Sequence, residues 1–168
     1  MQTTVKLYNP GYNRPVTYLM AALFAMGNVI LPQLAHLVPQ GGMTWLPIYF
    51  FTLIAAYKYG WRTGLLTAIA SPLVNSIFFG MPAAAVLPAI MLKSVLLAVG
   101  AGYAAHRFGR ATLALLTAVV LSYQIVGTAG EWIMSVDFYA AAQDFSIGIP
   151  GMLLQIIGGW FVINKIKI

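Results

Sequence analysis

Cysteine is absent from the 168 residues, which removes disulfides, thiolate metal sites and cysteine nucleophiles while saying nothing about redox compartment. Charge is nearly absent as well: Asp, Glu, Lys and Arg make up 7% of the chain, against about 25% in ordinary globular domains. A water-soluble surface needs that charge. Nine basic and three acidic side chains cannot cover a soluble particle of 18.2 kDa, whereas lipid requires no such cover. Two motifs of energy and acyl chemistry are missing too. There is no G-x-S-x-G nucleophile turn and no G-x-x-x-x-G-K-[ST] loop to cradle ATP phosphates, so the chain does not hydrolyse ATP by itself.

What is present is apolar. The hydrophobic set makes up 61% of residues and the mean hydropathy is +0.85, which reads as an integral membrane protein. Apolar runs fall at about 16–37, 43–57, 63–79, 83–105, 111–130 and 147–163, each bounded by charge, Gly or Pro. They are continuous rather than alternating with period two, so they read as helices and not as barrel strands. The expected fold is an all-α integral membrane bundle of six transmembrane helices. It forms one domain over residues 1–168, with no room for a separate soluble unit. The second and third runs are short and are joined by Lys58, Tyr59, Gly60, Trp61 and Arg62. That spacing predicts a tight hairpin whose Lys and Arg stems snorkel to the interface.

The basic residues orient the bundle. Lys6 and Arg14 precede the first run, Lys58 and Arg62 separate the second and third, Arg107 and Arg110 the fourth and fifth, and Lys165 and Lys167 follow the sixth. All four segments lie on one side, which makes that side, with both termini, cytoplasmic. The acids Glu131, Asp137 and Asp144 all fall in the connection between runs five and six, on the other side. A cleaved signal peptide fits the first run poorly, because its basic region is long and no A-x-A site follows it. The net charge of +6 and the pI near 9.7 do not point to nucleic acid, since the basic residues are scattered in pairs and form no stripe.

Lys93 is the one basic residue outside the cytoplasmic segments. It lies within the fourth run, five residues after Pro88, where a lysine costs about 2.5 to 3.5 kcal/mol at mid-span. Two readings stand. Lys93 snorkels to the outer headgroups if its helix starts near Ile90, or it faces a cavity, supplies a positive charge to an anionic ligand group, and is neutralised by Glu131 when empty. Asn28, Asn75, Gln124 and Gln155 also sit at depths that lipid penalises, either as hydrogen-bonding glue between helices or as ligand contacts. Asn75 and Lys93 flank the aromatic turn Phe78, Phe79, Gly80, Met81 and Pro82, a setting suited to an amphipathic small molecule. The segment from His36 to Trp45 combines glycines with an aromatic, as a lid over an external site does, or as an ordinary turn with Trp45 in the interfacial belt does. The candidate binding residues are therefore Lys93, Asn75, Glu131, Gln124, Gln155, Trp45 and His36.

His36 and His106 fall on opposite faces and cannot share a metal or a catalytic dyad. With no intramembrane carboxylate chain and no internal repeat, any transport draws its energy from elsewhere. A membrane-embedded enzyme using Lys93, Glu131 and His36 lacks a nucleophile or metal constellation, so neither enzyme, cofactor nor metal is expected. Ala21 with Ala25, Gly60 with Gly64, Ala98 with Gly102 and Ala101 with Ala105 are small pairs at spacing four, which lets helices approach closely.

Several strings together carry a family resemblance. They are Ala21-x-x-x-Ala25 in the first run, Leu46-Pro47 opening the second, the turn from Tyr57 to Gly64, and Phe79-Gly80-Met81-Pro82 before the fourth. With the size and the number of runs, they make the chain resemble the substrate-binding (S) components of energy-coupling factor transporters, the vitamin importers of prokaryotic cell membranes. The resemblance covers most of the chain. It implies capture of a small water-soluble vitamin or cofactor precursor from outside, in a pocket built from the loop after the first helix and from helices four to six. It further implies a membrane scaffold subunit and two cytoplasmic ATPase subunits that topple the loaded component, with Ala21 and Ala25 matching the alanines that face the scaffold. No string assigns a particular vitamin. The alternative is an accessory or assembly membrane subunit with no small-molecule pocket.

Overall fold

The computed structural model describes residues 7–135 and 137–165, without the side chains of Ser135, Ala140 and Asp144. Lys6, Lys167 and the side chain of Asp144, named above, lie outside it. The described residues are 83% helical and contain no strand. Helix α1 (Pro15–Ala35) opens on a proline, whose missing N–H is no loss in a first turn. Its buried residues are Thr17, Ala21, Ala25, Asn28 and Pro32, while Leu19, Leu23, Met26, Ile30 and Leu34 are exposed. A helix of a water-soluble protein hides its large apolar side chains. This one shows them and hides small and polar ones, the arrangement expected where lipid is the solvent and helices meet through small residues.

Ala21 and Ala25, the small pair that the resemblance assigns to a scaffold contact, are 6% and 8% exposed, and Thr67 of a neighbouring helix places its hydroxyl 3.4 Å from the Ala21 carbonyl.

After α1 the chain forms the short helix α2 (Gly41–Trp45), bounded by Gln40 and Leu46 in left-handed conformations, and then a 3-10 turn over Pro47–Tyr49. The second apolar run is therefore broken at Leu46, and its long helix begins at Phe50 and not at Met43. Helix α3 (Phe50–Phe79) carries a single non-helical residue, Gly60, at φ 86° and ψ 163°. The chain reverses there. Asn28 donates hydrogen bonds to both Thr52 and Ser71, at 2.9 and 3.1 Å, and these two would stand on the order of 28 Å apart in one straight helix. Gly64 lies so close to Ala56 that a Cβ on it would come within 2.7 Å of the Ala56 Cα. The hairpin expected between Lys58 and Arg62 thus has arms 50–59 and 61–79. Lys58, expected to snorkel, is instead 2% exposed, and its ammonium donates to the Ile163 carbonyl at 3.2 Å.

Helix α4 (Leu87–Phe108) starts four residues later than its apolar run, because Ala83 to Val86 form turns ahead of the helix, whose first turn holds Pro88. Helix α5 (Leu113–Ser135) runs past Gly130, which sequence reading takes as its end. A Cβ on Gly130 would come within 2.5 Å of Leu92 Cδ2, so this glycine serves a close approach to α4 and not a helix stop. Helix α6 (Phe138–Ile147) follows, and α7 (Ile149–Leu153), a π-helical turn over Leu154–Gly158 and α8 (Gly159–Lys165) then run on as one helix. The α6 segment Ala141–Ile147 is bent by 64° against it. Helices α1, α4 and α5 are each long and apolar enough to cross a membrane, and the bent pair adds a fourth if it is counted as one span. The core lies between α3, α4 and α5, where Ala56, Ala98, Ala101 and Ala105 surround Leu53, Tyr57, Leu97 and Leu116.

The two ends of the bundle differ. Tyr57 donates to the Arg110 carbonyl at 2.6 Å, Asn164 to that of Ala111 at 3.2 Å, and Lys58 to that of Ile163, so these segments meet at one end. Arg62 lies there too, stacked over Trp61 and Tyr12.

Candidate functional site

At the other end the helices enclose a cavity of about 490 Å³, within the range of about 300 to 1,000 Å³ that holds small organic ligands. Its wall is assembled from most of the chain: Pro32 from α1 and His36 just after it, Met43 from α2, Leu46 and Tyr49 from the segment that follows, and Asn75 from α3. Met81 and Pro82 come from the loop after α3, Ile90 from α4, Glu131 from α5 and Gln143 from α6. Apolar side chains dominate, with a few convergent polar groups, as in most cofactor and ligand sites.

The strongest electrostatic feature is an ion pair across α4 and α5. Lys93 Nζ lies 2.6 Å from Glu131 Oε2, with side-chain exposures of 0% and 17%. The first value excludes snorkelling. Lys93 sits in the second turn of α4 and is enclosed, because Gly127 on α5 leaves room for its stem: a Cβ there would come within 2.5 Å of Lys93 Cγ. An isolated buried ammonium is costly, and the carboxylate compensates it. Glu131 belongs to the last turns of α5 and not to a loop, so its direction is set by the helix. The pair is also ordered in depth. Glu131 is part of the cavity wall, Lys93 is not, and the lysine therefore stands behind the carboxylate.

Three of the candidate residues, His36, Asn75 and Glu131, come together in this wall. The His36 Nδ1 is 2.6 Å from the Pro32 carbonyl. Since a carbonyl only accepts, Nδ1 carries the hydrogen, and in the neutral ring Nε2 is left as an acceptor. Asn75 is tied down by its own amide hydrogens, which go to the Asn28 and Ser71 carbonyls at 2.9 Å each, while its Oδ1 accepts from Gln33 at 3.4 Å. Asn28 itself bonds Thr52, Ser71 and the backbone N–H of Phe51, so it is glue between α1 and the hairpin and no part of the wall.

The remaining candidates separate. Trp45 is 43% exposed and stands outside the wall, its backbone packed against Gly151. The segment around it is a short helix, which holds Met43 and Gly42 over the cavity but turns the indole away. Gln124 and Gln155 are fully buried, deeper than the cavity. Gln155 lies on the π-helical turn, a feature that often marks functional positions, and its Oε1 accepts from the Tyr123 hydroxyl at 2.9 Å. Tyr123 in turn packs on Tyr49 of the wall, ring centroids 5.4 Å apart. Neither amide atom of Gln124 has a hydrogen-bond partner among the described residues, and the hydroxyls of Ser94 and Thr128 share that state.

Sequence reasoning passed over Tyr49, Tyr123, Ser94, Thr128 and Gln143. Hydroxyls within apolar runs are the signal for four of them, but tyrosines in such runs read first as interfacial anchors. Among the described residues no group of three or more His, Asp or Glu side chains could hold a metal ion. Comparisons with protein-family models, with curated proteins and with solved structures find no match to this chain.

Proposed function

We propose that this protein is a membrane-embedded binding subunit for a small water-soluble vitamin or cofactor precursor, of the S-component type that works with a membrane scaffold subunit and two cytoplasmic ATPase subunits. The observation that carries the reading is the cavity at one end of an apolar helical bundle, with a compensated charge pair in its wall. In this reading α1, the two arms of α3, α4, α5 and the final helix are six crossings, both termini are cytoplasmic, and the cavity opens outward. The gathering of Lys58, Arg62, Arg110 and Lys165 at the end away from the cavity supports that orientation. Sequence reading put an anionic ligand group on Lys93. The same reading has Glu131 neutralise Lys93 when the site is empty, and the ion pair accords with that; the proposal keeps the small ligand and leaves its charge to the group that meets it.

One observation favours the accessory-subunit alternative: Asn28 and Asn75 serve as glue between helices, as every polar group would in a protein without a pocket. Native mass spectrometry of the detergent-purified protein, followed by thermal-shift titration with water-soluble vitamins and precursors, separates the two. A bound mass and a stabilisation that grows with ligand concentration support the binding subunit, and stabilisation reaches about 2.7 kcal/mol at a hundredfold excess over Kd. A clean unliganded mass with no shift supports the accessory role.

A further inference from the structure

We infer that Glu131, and not Lys93, is the charged group that meets the ligand, and that the ligand presents to it a cationic or N–H donor edge such as an amidine or an aminopyrimidine. This rests on the proposed small-molecule site. The order of groups is the starting point: cavity, Glu131, then Lys93, with the lysine fully buried and its stem fitted against Gly127. For an anion to reach Lys93, the ion pair must open. One buried ammonium would then face two carboxylates, or Glu131 would have to leave the wall altogether. A donor group needs neither change. An ionised carboxylate has about four lone-pair sites, and Lys93 engages it at Oε2, so a ligand N–H approaching from the cavity adds to the pair.

The rest of the wall agrees in sign. Among the described residues it contains no Lys or Arg. The amide hydrogens of Asn75 are already committed to backbone carbonyls, which leaves its Oδ1, with one long 3.4 Å bond, as its remaining acceptor. His36 spends its Nδ1 hydrogen on Pro32 and offers an acceptor at Nε2. Glu131, Asn75 and His36 therefore bring acceptors to the wall, while among the described residues the Gln40 and Gln143 amides and the Tyr49 hydroxyl can serve either way. A wall whose one charged group is an acceptor favours ligands with N–H groups, because a buried acceptor left unpaired costs more than a pair gains.

The test compares two probes of the same shape and opposite charge, benzamidine and benzoate, on the full chain in detergent, with binding read by ligand-observed NMR and thermal shift. A hydrogen bond to a charged group contributes about 1.5 to 3 kcal/mol, so benzamidine should bind wild type at least about tenfold more tightly than benzoate. In Glu131→Gln that preference should vanish or invert. The wild-type comparison stands without any variant, which keeps the test decisive if Glu131→Gln does not fold. Tighter binding of benzoate, equal binding of both, or a benzamidine preference undiminished in Glu131→Gln overturns the inference while leaving the cavity a binding site. Binding of neither probe, together with no response to any vitamin, overturns the site itself.

Discussion

Lys93 and Glu131 differ in what each can do alone, and that difference is measurable. Lys93 has no exposed side-chain surface, so Glu131→Gln takes the carboxylate away from a buried cation, whereas Lys93→Met leaves a carboxylate that is 17% exposed and can draw on water. Removing one partner of a buried pair costs about 3 to 5 kcal/mol, while replacing both by neutral groups is often close to neutral. Thermal unfolding in detergent should therefore rank Glu131→Gln as the more destabilised single variant, Lys93→Met as milder, and the double variant as better than Glu131→Gln alone. Equal losses that add in the double variant would show that the two side chains are not coupled. At this scale the lysine was legible from sequence, because it is the single basic residue left over once the cytoplasmic segments are assigned. The depth order was not. It depends on Gly127 and Gly130 letting α5 continue close against α4, and a glycine at the end of an apolar run reads equally well as a helix stop.

Elements were legible where their breaks are local. Gly60 between Lys58 and Arg62 announces a reversal, and the structure reverses there, at a positive φ that L side chains rarely adopt. Leu46 announces nothing, yet its left-handed conformation moves the start of the second long helix to Phe50 and creates the shelf that carries Tyr49 into the cavity. The direction of α1 was less legible. Small residues at spacing four mark a contact face but do not say whether the contact is within the chain or between chains, and here Thr67, Ser71 and Asn75 of α3 supply it. Ala21→Leu tests the point. Overpacking a closed contact costs about 1 to 3 kcal/mol, so the isolated chain should unfold at a lower temperature. Unchanged stability of the isolated chain, with binding to a scaffold lost, would support the outward-facing reading.

The whole molecule has two chemically distinct ends. One gathers the cations beneath the hairpin turn; the other holds the cavity, its wall and α6. This polarity was legible, since it follows from charge placement along the chain, while the cavity was not, because it needs residues from six helices and three connections to meet. The absence of cysteine makes the arrangement open to single-cysteine labelling in sealed vesicles. Trp61→Cys and His106→Cys should react with a membrane-impermeant maleimide only from the cytoplasmic side, and Tyr139→Cys, at a position 86% exposed, only from the opposite side. Labelling of all three from one side would contradict the six-crossing arrangement. The most direct test of the central claim is a vitamin and precursor titration of the wild-type chain beside Ile90→Trp, a substitution in the cavity wall that fills the space and replaces neither member of the ion pair. The account predicts that at least one compound stabilises wild type in a concentration-dependent manner and fails to stabilise Ile90→Trp. No stabilisation of wild type by any compound, or equal stabilisation of both proteins, would contradict it.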